Sequence, residues 1–126
     1  MATKVYMPVD QYLSTTFEHD PEFVDGEIVA RGMGTNDHSA VQIRLAGIFY
    51  GLQKSKHLYG RTEMHLRVRA NAYRVPDFCL YEGLPPLGRY PSDPPMLVVE
   101  ILSPDDRIST LEQKLSEYES FGVRYI

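Results

Sequence analysis

Met96-Leu97-Val98-Val99-Glu100-Ile101-Leu102 (MLVVEIL) sets six apolar residues around one glutamate. Pro94-Pro95 stand before it and Ser103-Pro104 after it. An apolar run this short, fenced by prolines, predicts a strand buried on both faces. Burying a carboxylate without a partner is strongly unfavourable. Glu100 must therefore leave the core at a strand end or meet a cation.

The same conflict recurs in Val75-Pro76-Asp77-Phe78-Cys79-Leu80, where Asp77 interrupts a second apolar strand. Two neighbouring buried strands with one acid each place two carboxylates near one another. Like charges at close range resist joint ionisation unless a cation joins them. Mg²⁺ suits that role, because it takes hard oxygen ligands and is held by one or two carboxylates plus water.

A lysine offers itself as well. Asp106 to Phe121 reads as a helix, with a capping box at Ser109 and Glu112 and a C-terminal stop at Gly122. Leu111, Leu115 and Tyr118 form its apolar stripe, and Lys114 lies about 60° from Leu111 on the flank of that stripe. Such a lysine often lays its stem along the packed face with its head in water. Two buried acids just upstream favour the other role, in which Lys114 is the cation Glu100 needs.

The rest of the chain supplies a frame for these groups. Pro8 to Ser14 predicts a short helix. Glu22 to Val24 and Glu27 to Ala30 predict a hairpin, because Asp25-Gly26 between them supplies the positive φ angles of a tight turn. Gly32 to Thr35 is a loop. Asn36 or Asp37 is expected to cap a helix carrying Val41, Leu45, Ile48, Phe49 and Leu52, fraying near Ser55 to Tyr59. Arg61 to Ala70 alternates as a half-buried strand, and Asn71-Ala72 turns into a second strand, Tyr73 to Tyr81. A proline-rich loop leads to MLVVEIL, and Val123 to Ile126 begin one more strand after the last helix. The order predicts an α/β fold with a mixed sheet flanked by helices.

Composition narrows the setting. The chain has 126 residues, 43% hydrophobic and 24% charged, enough for one core. No apolar run approaches the ~20 residues of a membrane span, and the first residues lack the apolar core of a signal peptide. Cys79, the single cysteine, excludes an intramolecular disulfide and a thiolate metal cluster. The expectation is a cytoplasmic protein with no membrane partner. Net charge is −4, but from Arg44 to Arg74 seven basic residues face the single acid Glu63. That basic middle suits phosphate contacts or a solvated surface equally. Arg67, Arg69 and Arg74 divide the same way, between DNA phosphates and charged strand edges. His19, His57 and His65 share no metal-ligand spacing.

Pro76-Asp77 followed by Val99-Glu100-Ile101-Leu102-Ser103-Pro104 resembles the PD-(D/E)XK nuclease superfamily, and more closely its Uma-two family of restriction-endonuclease-like proteins. That family shows a pattern like Y-E-L-(I/V)-D-G-E near its start, matched here by Pro21-Glu22-Phe23-Val24-Asp25-Gly26-Glu27. A histidine opening a long helix is matched by His38, a helical lysine by Lys114, and a G-V-x-x-Y strand by Gly122-Val123-Arg124-Tyr125. In the parent superfamily the lysine stands two residues after the second acid, where this chain has Leu102; the family pattern moves it to the helix.

The resemblance implies a restriction-endonuclease-like core, preceded by the N-terminal helix and hairpin, in a metal-dependent DNA endonuclease. Asp77 and Glu100 would bind Mg²⁺ or Mn²⁺, with the Ile101 carbonyl as a further ligand. Lys114 would orient the attacking water or neutralise charge on the phosphate. Glu22 would support the metal or its water, and His38 is either an active-site group or a helix-start residue. Family chains usually continue past the last motif, so the single domain over 1–126 is expected to be truncated at its C-terminus. Its unfinished strand offers a pairing edge, and a homodimer is expected. The alternative is a catalytically inactive nuclease-fold module that binds DNA or a protein partner.

Overall fold

The computed structural model describes residues 3–126; Met1 and Ala2 of the expected domain lie outside the described residues. The elements run β1 (Val5–Tyr6), α1 (Val9–Ser14), β2 (Glu22–Val24), β3 (Glu27–Val29), α2 (Asn36–Gly51), α3 (Gln53–Lys56), β4 (Leu58–Thr62) and β5 (Leu66–Arg69). They continue with β6 (Ala72–Arg74), β7 (Phe78–Glu82), β8 (Leu97–Val99) and α4 (Ile108–Phe121).

The predicted hairpin forms as β2 and β3, with Asp25 at φ 50° and Gly26 at φ 91° in the turn. It lies inside a five-stranded antiparallel sheet ordered β1-β3-β2-β6-β5, while β4-β7-β8 form a second antiparallel sheet. The chain's end adds the one parallel bridge described, Leu97 to Tyr125, with Val98 N–H donating to Tyr125 O and Tyr125 N–H to Met96 O, both at 2.9 Å.

Two expected strands are each broken in the middle, and the breaks lie opposite one another. Arg61 to Ala70 splits into β4 and β5, and Tyr73 to Tyr81 splits into β6 and β7. Pro76 has no N–H to give a ladder, and Glu63 turns the other strand at φ 50°. One sheet ends at the pair Leu66 with Arg74, and the other begins at Thr62 with Phe78. The hairpin thus changes sheets as a unit, leaving residues 63–65 and 75–77 at the seam. Asp77 sits on that seam.

The helices depart from expectation at their starts. Thr35, not Asn36 or Asp37, caps α2, its hydroxyl accepting from His38 N–H at 3.2 Å. No capping box opens α4, because the helix begins at Ile108 and Ser109 lies inside it. Gly122 does end α4, at φ 110°. Along α2 only one side of the expected apolar set faces the sheet: Phe49 stacks on Phe78 at 5.5 Å, while Val41 and Ile48 are exposed.

The main core joins Leu66, Val68 and Ala72 to Cys79, Tyr81 and Val98, under Tyr118 of α4 and Val123. Burial pushes the Cys79 thiol up to about 12, in keeping with a core role. A second cluster packs Tyr12 of α1 on Phe23 and Tyr73. No helix among the described residues is long and apolar enough to cross a membrane.

Candidate active site

β8 is three residues long, so Glu100 is the first residue beyond it, and its side chain turns into a cleft of about 410 Å³. Glu22, His38, Asp77, Glu100, Ile101 and Lys114 all line this cleft. Each element delivers its group by a simple local rule. β2 begins at Glu22, the seam presents Asp77, β8 ends before Glu100, α2 supplies His38 and α4 supplies Lys114.

Glu100 meets a cation, as its apolar context requires. Lys114 Nζ stands 3.6 Å from Glu100 Oε2, and the Tyr118 hydroxyl donates to Oε1 at 2.7 Å. Lys114 and Tyr118 are four residues apart on α4, hence neighbours on one helix face. Burial pushes the Glu100 carboxyl up to about 7, against the opposing pull of Lys114 and Tyr118. Burial also drives the Tyr118 hydroxyl well above its ordinary range, so it remains a donor.

Asp77 is gripped on both oxygens. Oδ2 accepts from Ile101 N–H at 2.7 Å, which binds the residue after Glu100 directly to the other acid. Oδ1 faces His38 Nε2 at 3.0 Å and Arg31 Nη2 at 3.5 Å. One turn further along α2, Gln42 Nε2 donates to the Asp77 backbone carbonyl at 2.9 Å. Helix α2 is therefore pinned to residue 77 at two points, and His38 is held there rather than merely starting the helix.

Glu22 is the most enclosed of the acids, with its side chain 1% exposed. Oε1 lies 3.0 Å from Lys114 Nζ and 3.3 Å from Arg74 Nη1, and Oε2 accepts from Val75 N–H at 2.8 Å. Arg74 in turn bonds Glu117 Oε2 at 2.7 Å. Arg74 is 2% exposed and unavailable to DNA, contrary to one reading of its sequence context. Arg69 is likewise engaged, forking onto Asp25 at 2.6 and 2.9 Å, so of the three strand arginines only Arg67 is without an acidic partner among the described residues.

Three residues of this network were missed in the sequence. Arg31 follows a strand and precedes a glycine loop, Arg74 reads as a strand-edge charge, and Tyr118 reads as packing. Only Tyr118 had a usable clue, its spacing of four from Lys114.

The donor set fits a hard divalent cation. Asp77 and Glu100 offer carboxylate oxygens at one cleft, and the backbone of Ile101 lies against Asp77. Among the described residues no three His, Cys, Asp or Glu side chains converge to hold a metal by themselves. Two carboxylates completed by water is the arrangement Mg²⁺ accepts, and a closed zinc site is not.

Comparison with known proteins bears on the family and the fold. The model of the Uma2 family, described as "Putative restriction endonuclease", matches residues 9–126. A solved structure from Anabaena variabilis ATCC 29413, described as "a putative nuclease belonging to DUF820", superposes with a TM-score of 0.79 at 20% identity. The alignment covers 93% of this chain and 70% of that one. No curated protein matches. The structural likeness establishes a shared fold.

Proposed function

The chain belongs to the Uma2 family, and on that premise we propose that its cleft hydrolyses DNA phosphodiester bonds with the help of Mg²⁺ or Mn²⁺. The observation that supports this reading is the meeting of Asp77, Glu100 and Lys114 in one cleft, from three separate elements. Asp77, Glu100 and the Ile101 carbonyl would hold the metal. When bound there, it would supply the Lewis acid that polarises the phosphate and makes water a better nucleophile.

The chain's own groups do the rest. Lys114 places its amino group at the cleft wall, where charge accumulates on the phosphate during attack. Glu22 anchors that ammonium at 3.0 Å, and with both oxygens engaged it acts as the holder of Lys114. His38 bonds Asp77 Oδ1 and orients that carboxylate for the metal. Two copies of the chain, at twice 14.4 kDa, would bring one such centre to each DNA strand. Light scattering at micromolar concentration tests the homodimer.

Calorimetric titration with Mg²⁺ and Mn²⁺ tests the centre itself. The wild type should bind, and Asp77→Ala and Glu100→Ala should each weaken binding by about 100-fold or more. A wild type that binds neither ion at millimolar concentration would defeat the reading. DNA affinity indifferent to metal and to Asp77→Ala would identify an inactive nuclease-fold binding module instead.

A further inference from the structure

Arg31 lines the cleft, and the acids around it hold it only at long range. It stands two residues beyond β3, its side chain only 8% exposed. Nη2 lies 3.2 Å from Glu63 Oε1 and 3.5 Å from Asp77 Oδ1, and Nη1 donates to the Asp20 carbonyl at 3.3 Å. Charge-assisted N–H···O bonds usually measure about 2.7–2.9 Å. Arg69 on Asp25 and Arg74 on Glu117 reach such distances; Arg31 reaches none.

Its position is also awkward for a metal centre. Arg31 and His38 share Asp77 Oδ1, one of the oxygens offered to the metal. A guanidinium there neutralises the carboxylate and repels an incoming divalent cation. The other anchor, Glu63, is 48% exposed, so the guanidinium is tethered to a solvent-facing acid as well as to Asp77. A guanidinium is a planar fork suited to the two oxygens of a phosphate.

We propose that Arg31 is a positioning residue that stands in for the metal at Asp77 and passes to a DNA phosphate when the metal binds. The proposal rests on the metal-dependent nuclease reading of the cleft. It couples the two loading steps through one side chain. Metal at Asp77 releases the guanidinium for the phosphate, and a phosphate that takes the guanidinium clears Asp77 for the metal.

The test uses the whole chain and two readouts besides cleavage: Mn²⁺ affinity by calorimetry and DNA affinity by fluorescence anisotropy with Ca²⁺. Arg31→Gln should bind Mn²⁺ about 5-fold more tightly and DNA about 10-fold more weakly. Arg31→Lys keeps the charge and loses the fork. Its Mn²⁺ affinity should stay within about 2-fold of wild type while DNA affinity falls about 10-fold. If Arg31→Gln does not fold, the lysine variant decides by the same split. Loss of metal and DNA affinity together would show a purely structural arginine, and unchanged Mn²⁺ affinity in Arg31→Gln would also overturn the proposal. A wild type that binds no Mn²⁺ would defeat the metal-centre reading; a wild type that binds it, with Arg31→Gln no tighter, would defeat only this inference.

Discussion

The two ends of the cleft handle buried charge in opposite ways. At one end Glu22 and Glu117 face Arg74 and Lys114, and the acids and bases balance within the chain. At the other end the closest bonds to Asp77 and Glu100, at 2.7 Å, come from the neutral donors Ile101 N–H and Tyr118, the Arg31 and Lys114 cations stand back at 3.5 and 3.6 Å, and Glu100 is driven toward the neutral acid. A network already satisfied by protein groups rigidifies its surroundings. A network with surplus carboxylate has room for a cation from outside. On the proposed reading, the first end holds position and the second binds.

That contrast is broken most severely at Arg74. Removing one member of a buried ion pair leaves the other uncompensated, which costs about 3–5 kcal/mol. Arg74→Ala takes the 2.7 Å partner from Glu117 and one of the two cations from Glu22, and should lower the unfolding free energy by about that much in urea titrations. A loss under about 1 kcal/mol would mean that the Glu22 end is solvated and no firmer than the Asp77 end.

The second end should reveal itself through pH. The Glu100 carboxyl is raised from its ordinary value near 4.5 to about 7, chiefly by burial. Below about 4.5 it is protonated whether the chain is folded or not. Between 4.5 and 7 the unfolded chain loses the proton first, so the metal-free fold loses stability as pH rises through that window, by about 3 kcal/mol in all. Asp25, held below its usual range by the hydrogen bond from Arg69, slopes the other way, so the comparison must be a difference. Subtracting the stability profile of Glu100→Gln from that of the wild type should isolate the fall. A flat difference would place Glu100 with the satisfied acids.

How much of this was legible follows the same division. The acids announced themselves because a carboxylate in an apolar strand conflicts with its surroundings. The hairpin announced itself because Asp25-Gly26 has few other uses. The seam between sheets was half legible: Pro76 forbids a continuous ladder, but nothing in Glu63 foretells its positive φ. The partners were illegible for a physical reason. Arg31, Arg74 and Tyr118 are common in places where their roles are mundane, and only the fold's long-range pairing brings them to Glu22, Asp77 and Glu100. A capping box at Ser109 failed for a related reason, since α4 starts two residues earlier than the motif requires, with Arg107 in the cap position.

The smallest change, at Tyr118, sharpens the contrast most. Its hydroxyl is the only side-chain hydrogen bond to Glu100 among the described residues, at 2.7 Å, and it favours the ionised carboxylate. Tyr118→Phe removes one oxygen from a fully buried site and leaves the ring packing in place. Stability near pH 7 should fall by about 1–2 kcal/mol. Because the carboxylate loses its donor, the Glu100 titration should move upward from about 7, and the pH at which Mn²⁺ binding reaches half its plateau should move with it. Lys114 stays on Glu22 throughout, so the other end of the cleft should be unaffected. A stability loss with no change in the pH midpoint would mean that the hydroxyl's bond supports the fold without tuning the carboxylate, separating Tyr118 from the binding end; a shifted midpoint with little stability loss would make the hydroxyl a tuning group for the carboxylate alone.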